Sequence, residues 1–158
     1  WDFDAVEVYN HVCQWLNGKG YAGPYWQAML GARPGTLAIA ADDAHTKPQH
    51  PGWNGGWVMV QAPELTAGAI MASFRAGRYY STTGPTFSHI RQEDGHVTIE
   101  VSPVQFIRLV GPGPRGQRLG SFDDTYLTEA TFEIPDDWPY AYIEIEDHQG
   151  RQAWTNPL

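Results

Sequence analysis

"LAIAADDAHTKPQH", Leu37 to His50, sets a run of apolar residues directly against two aspartates and a histidine. Taken with Thr36, the apolar half "TLAIAA" is short and lacks clean alternation. A strand covered on both faces looks this way, as in a parallel sheet. The polar half has two readings. In an extended chain, positions i and i+2 point to the same side. Asp43 and His45 then offer an oxygen and an imidazole nitrogen to one ion, a pair that suits Zn, Mn or Fe. Asp42 points away and orients its neighbours. Alternatively, Asp-Asp after a strand is ordinary turn chemistry, and Asp-x-His recurs by chance in many proteins.

Upstream, "AVEVY" (Ala5–Tyr9) has the same buried-strand texture. Between the two runs, "GPYWQAMLGARPG" predicts a helix with Pro24 in its first turn and Gly31 or Gly35 at its end. Downstream, "PELTAGAIMASFRAGRYY" predicts a second helix. Thr66 is its N-cap, and Ala69, Ile70, Ser73 and Phe74 share one face. Gly77 closes it, and Arg75 and Arg78 complement the dipole at that end. Strand, helix, strand, loop, helix is an α/β rhythm.

From about Thr86 the period changes to two. "HVTIEVS" alternates Val97, Ile99 and Val101, and "VQFIRLV", "EATFEIP" and "YAYIEIED" follow, separated by turn signals. In the last of these, Ala141, Ile143 and Ile145 alternate with Tyr142, Glu144 and Glu146. The expected organisation is α/β plus all-β: an α/β part over residues 1–85 and a small antiparallel β-sandwich over 86–158. The junction "STTGPT" is short, so the two parts should pack directly on each other.

Composition narrows the function classes. The formal charge is −8, and the ten Lys and Arg are scattered. No basic stripe forms that would follow a phosphate backbone, which argues against nucleic acid as a partner. Cys13 stands alone, so neither an intrachain disulfide nor a Cys-based zinc cluster is available. No apolar run approaches the roughly 18 residues of a membrane span. The opening "WDFDAVEVYN" has no initiator Met and no signal pattern. It reads as a strand inside a domain, so the chain is expected to be part of a longer protein. The compartment is left open.

Other candidates carry paired readings. Glu7 and Asn10 either line a site or form a hydrogen-bonded strand end, and a buried Glu7 would need a partner. In "RYYSTTG", the hydroxyls of Tyr80, Ser81, Thr82 and Thr83 either reach substrate oxygens or cap turns. Trp53, Trp57, Trp138 and Trp154 form a sugar-stacking platform or plug the core. No Gly-x-Ser-x-Gly elbow occurs. The prolines of "GPGPRGQRLG" remove the amides a phosphate cradle requires, so that stretch reads as a turn.

In order along the chain come "VEVYN", a helix, "AIAADDAH", "GWVMV", a helix ending in "AGRYYSTTGP", and a β-rich tail ending in "IEIEDHQGRQAWTNPL". This series resembles the C-terminal half of the polymerase and histidinol phosphatase (PHP) superfamily, and most of all its CehA/McbA branch of metallohydrolases. The resemblance covers nearly the whole chain. Asp-Ala-His and Gly-Arg-Tyr-Tyr-Ser-Thr-Thr-Gly are its most specific parts. It implies a distorted (β/α)7 barrel, here a partial one, holding two or three divalent ions that activate water for phosphoester hydrolysis. It places Asp43 and His45 as metal positions, with Glu7 and Asn10 lining the site; Asp42, Tyr80 and Ser81 join them as candidate lining residues on the readings given above.

The family's His-x-His element is not in this sequence. None of His11, His50, His89, His96 and His148 restores it. One Asp and one His do not complete a multi-metal centre. The expectation is therefore a C-terminal fragment that is inert alone and binds one weak ion or none. Its partner is the N-terminal part of the same protein, and the parent acts on a small phosphoester. The rival reading is a binding or structural β module, for carbohydrate or a protein partner, on an α/β scaffold.

Overall fold

In the computed structural model, residues 3–50 and 52–158 are described. Trp1 and Asp2, at the start of the first expected strand, and Pro51, beside His50, lie outside them. Strand β1 (Ala5–Asn10) leads into helix α1 (His11–Asn17), then α2 (Gly23–Ala32) and β2 (Leu37–Ala41). β1 and β2 pair in parallel, with Ala5 opposite Leu37 and Asn10 opposite Ala41. Asn10 caps α1 by accepting from the Cys13 amide at 2.8 Å, and Gly18 ends it in the left-handed region at φ 71°. Pro24 sits in the first turn of α2. Gly31 lies inside that helix and Arg33 is its C-cap, so neither expected glycine ends it.

Next come β3 (Trp57–Val60), α3 (Ala67–Arg75) and β4 (Tyr79–Thr82). α3 follows its sequence signals. The Thr66 hydroxyl accepts from the Ala69 amide, Ser73 is buried, and Gly77 has φ 71° just past the cap. The remaining strands are β5 (Phe87–Glu93), β6 (His96–Val104), β7 (Phe106–Val110), β8 (Gly116–Gly120), β9 (Leu127–Glu133), β10 (Tyr142–Glu146) and β11 (Gln152–Thr155). Together with β3 and β4 they form two antiparallel sheets. One has six strands in the order β3-β4-β11-β10-β7-β8, the other three in the order β5-β6-β9.

The molecule is thus a mixed α/β protein with a β-rich part. Among the described residues no strands close into a barrel. Strands β3 and β4 belong by pairing to the sheet of the β-rich part, since β4 lies directly against β11. The α/β rhythm of the sequence does not reveal this, because pairing between strands so far apart along the chain leaves no local trace.

The six-stranded sheet is the middle of three layers. On one side it shares a core with the three-stranded sheet, built from Val97, Ile99, Val104, Phe132, Ile107, Leu109, Ile143 and Ile145. On the other side β1, β2 and α2 cover it, with Val8, Trp26, Leu30 and Ala38 packed on Tyr140, Tyr142 and Trp154. Each large apolar side chain among them contributes roughly 1.5–3 kcal/mol by leaving water.

This layering changes the reading of "YIEIE". Alternation places Tyr142 and Glu144 on a polar outer face, but that face is roofed by the α/β layer. Glu144 is only 8% exposed. Its two oxygens accept from Arg108 Nη1 at 2.8 Å and from the Trp154 indole N–H at 2.9 Å. In contrast, β1 is covered mainly on one face, because Glu7 is exposed while Val8 is buried.

Edge strand β2 is fastened to the six-stranded sheet by side chains. The Ala38 amide donates to Asn156 Oδ1 at 2.9 Å, and the Ala38 carbonyl accepts from the Ser81 hydroxyl at 3.0 Å. Asn156 Nδ2 also donates to the Gly77 and Tyr79 carbonyls, both at 3.0 Å. Two polar side chains therefore take the place of a ladder between strands that do not pair.

Candidate functional site

The register of β1 and β2 brings their carboxyl ends side by side. Ligands of open α/β sheets collect at such ends. α1 begins at His11 beyond β1, and beyond β2 the chain runs into Asp42, Asp43 and His45.

Asp42 holds the following loop. Its Oδ1 accepts from the Gly55 and Gly56 amides at 2.8 and 2.9 Å, and its Oδ2 from the Asn54 amide at 2.7 Å. Its carbonyl accepts from the Val12 amide at 3.2 Å. Asp42 therefore orients its surroundings by clasping a turn. Desolvation pushes its carboxyl upward, but the three amides, helped by His11, outweigh that and hold it below its ordinary value of 3.8. The sign of the pH effect follows. A carboxyl depressed in the folded state stabilises it above the ordinary carboxylate range and loses that contribution as pH falls through the depressed value. Asp42→Asn should cost about 1–2 kcal/mol at neutral pH, at the low end for charged hydrogen bonds because the site is open to solvent. The gap from the wild type should shrink as pH falls below 3.8. Urea melts across an acid pH series measure it, and a gap that does not change with pH would remove the anionic clasp.

Asp43 does not continue the strand. Its φ is 53°, in the left-handed region that Asp visits more readily than most residues. The extended geometry that puts i and i+2 on one side is therefore not what relates Asp43 to His45. The His45 ring instead folds back on the backbone of this loop, with Nδ1 2.7 Å from the Asp43 carbonyl oxygen. With Nδ1–H as the donor, the Nε2 lone pair is left for an acceptor or ligand role, as in metal-binding histidines. Both residues are exposed. The His50 ring lies 6.5 Å from that of His45 and 5.5 Å from that of Trp15, and its buried Nδ1 has no partner among the described residues.

The donor types of Asp43 and His45 fit a divalent ion, but their number does not. Among the described residues, no three His, Cys, Asp or Glu side chains converge as a metal centre requires. An oxygen and a nitrogen from one loop leave at least two positions of a tetrahedral ion to other donors.

The remaining sequence candidates have structural partners. Exposed Glu7 accepts from Asn10 Nδ2 at 3.1 Å while Asn10 caps α1. Tyr80 packs edge-on against Phe87, with ring centres 5.0 Å apart. Ser81 is fully buried on the Ala38 carbonyl. Thr82 binds the Pro85 carbonyl, and Thr83 exchanges two bonds with Gln152. His89, His96 and His148 are exposed in the β-rich part. Trp154, a candidate for an exposed platform, is buried, whereas Trp53 is 62% exposed. Pro112–Arg115 is the turn expected, but strand β8 follows within the same glycine-rich stretch.

Beside the Asp42 clasp lies a cleft of about 440 Å³. It is lined by Tyr9 and His11 from β1 and α1, Trp57 from β3, and Arg151 and Trp154 from the turn and strand of β11. Sequence reasoning missed it because its walls come from opposite ends of the chain. The only local hint is "NGG" at Asn54–Gly56, whose backbone comes close enough to touch other groups. No family model, curated protein or solved structure matches the chain.

Proposed function

We propose that the chain supplies the last two ligands, Asp43 and His45, of a PHP-type metal-dependent phosphoesterase, and that its α/β layer is a portion of that barrel. The observation that carries this reading is the position of the pair beyond two parallel strands, with His45 Nδ1 tied to a carbonyl so that Nε2 is left for a ligand. The ordered resemblance along the sequence supports it too. Because two donors do not complete the centre, the reading includes a parent polypeptide whose other segments add the remaining ligands. The bound ions would act as Lewis acids and lower the pKa of a coordinated water. Phosphomonoesters, phosphodiesters and carbamate-type esters all fit this chemistry.

The test is metal content. A longer polypeptide carrying this chain, loaded with Mn or Zn, should hold stoichiometric metal and hydrolyse 4-nitrophenyl phosphate. Asp43→Ala and His45→Ala should each lower both, with the rate falling on the order of a hundredfold or more, since even outer-shell changes around a metal cost 10–100-fold. Unchanged metal content and rate in both variants would refute the assignment. Among the described residues no helix is long and apolar enough to cross a membrane.

A further inference from the structure

The cleft of about 440 Å³ has a construction that neither the fold nor the metal reading requires. Three of its lining side chains are each seated against a glycine. A Cβ on Gly55 would lie 2.1 Å from His11 Nδ1, and one on Gly56 would lie 2.9 Å from the Tyr9 ring. One on Gly84 would lie 2.7 Å from Arg151 Nε. Any larger residue at these positions would displace the side chain in front of it. Two of the three glycines are held in turn by the Asp42 carboxylate. The cleft is thus fixed from behind, as a binding constellation needs to be.

Its chemistry is specific. Tyr9 stacks on Trp154 with ring centres 6.4 Å apart, Tyr21 stacks on the same indole at 5.9 Å, and both tyrosines line the cleft. In the same lining, Arg151 gives only its Nε to Asp147, at 2.7 Å. Its two terminal nitrogens make no bond among the described residues, and the guanidinium side chain is about half exposed. His11 meets the Tyr9 hydroxyl at 3.5 Å through Nδ1, and Nε2 makes no bond among the described residues. Aromatic rings, a guanidinium and an imidazole lining one cleft match a ligand with a ring at one end and an anion at the other.

We propose that this cleft binds a small aromatic anion, with the ring against Tyr9 and Tyr21 and a phosphate or carboxylate held by Arg151 and His11. The proposal does not depend on Asp43 or His45, so it is tested without metal and its outcome is separate from theirs.

The experiment is a titration of the chain, in chelator-treated buffer, with phenyl phosphate, benzoate, phenol and inorganic phosphate. Binding is followed by two-dimensional NMR of indole and guanidinium N–H signals. Phenyl phosphate or benzoate should saturate with Kd on the order of 1 mM or tighter. The indole signal of Trp154, on which both tyrosines stack, and the Arg151 Nε–H signal should move most. Phenol and inorganic phosphate, each lacking one half of the ligand, should bind about tenfold more weakly or not at all. Whichever of the two anions binds tighter identifies the headgroup. Tyr21→Leu and Arg151→Gln should each weaken binding about tenfold, and Arg151→Lys should restore part of it. No saturable binding by either aromatic anion, or shifts centred on residues outside the cleft in the wild-type chain, would overturn the proposal without relying on any variant's folding.

Discussion

Trp154→Ala is expected to lower stability by about 3–5 kcal/mol, the range for removing a buried tryptophan. Two physical terms contribute. The indole is 1% exposed and is stacked by Tyr9 and Tyr21, so its loss opens a cavity beneath β1 that the flanking rings only partly fill. The second term is polar. The indole N–H donates to Glu144, and removing it leaves a buried carboxylate oxygen with only Arg108 to balance its partner oxygen. Trp154→Phe separates the two, because it keeps most of the apolar volume and deletes the donor. Its expected cost is about 1–3 kcal/mol. Urea unfolding with unchanged m would measure both. Equal costs for Phe and Ala would show that the hydrogen bond, not the packing, dominates. A cost below about 1 kcal/mol for Ala would contradict a core in which this indole fills the space between the layers.

Asn156→Ala is the second large effect, at about 2–4 kcal/mol. Its amide group satisfies three backbone atoms: the Ala38 N–H and the Gly77 and Tyr79 carbonyls. The Gly77 carbonyl keeps the Tyr79 amide as a donor, so its loss is the mildest of the three. Ala38 is 1% exposed, and its amide has no water to turn to. Asn156→Asp should be worse than alanine at neutral pH. It retains an acceptor for Ala38 but turns a carboxylate oxygen toward two carbonyls. Hydrogen exchange at the Ala38 amide reports the same bond locally, and its protection should fall in both variants. Unchanged protection there would show that β2 is held by other means.

These two residues show where sequence reading succeeds and where it stops. α3 was legible because its signals are local: Thr66 at one end, Gly77 at the other, and a face of Ala69, Ile70, Ser73 and Phe74 between them. β6 was legible because one of its faces is wet and the other dry, so Val97, Ile99 and Val101 alternate with polar residues. β10 misled because both of its faces are covered, and a buried glutamate with two partners looks in sequence like a solvated one. β3 and β4 read in sequence with the helix they flank, although their hydrogen bonds lead to β11.

The candidate site divides in the same way. Asp43 and His45 stand out by spacing, yet the chain leaves the extended form at Asp43 through a positive φ that no spacing rule contains. The role of Asp42 depends on amides twelve to fourteen residues away. The aromatic cleft depends on residues from both ends of the chain, and "NGG" at Asn54–Gly56 is its only local trace.

The pairing of β4 with β11 also bears on how the molecule is made. As the polypeptide leaves the ribosome, β3 and β4 emerge long before residues 152–155. Until then β4 shows an unsatisfied edge, and the hollow under β1 lacks the indole that fills it. An open edge beside uncovered apolar side chains invites association with other nascent chains. The late arrival of Ala153 and Trp154 closes both faces of the central sheet in one step, so the interval before that step is when this protein most needs a chaperone.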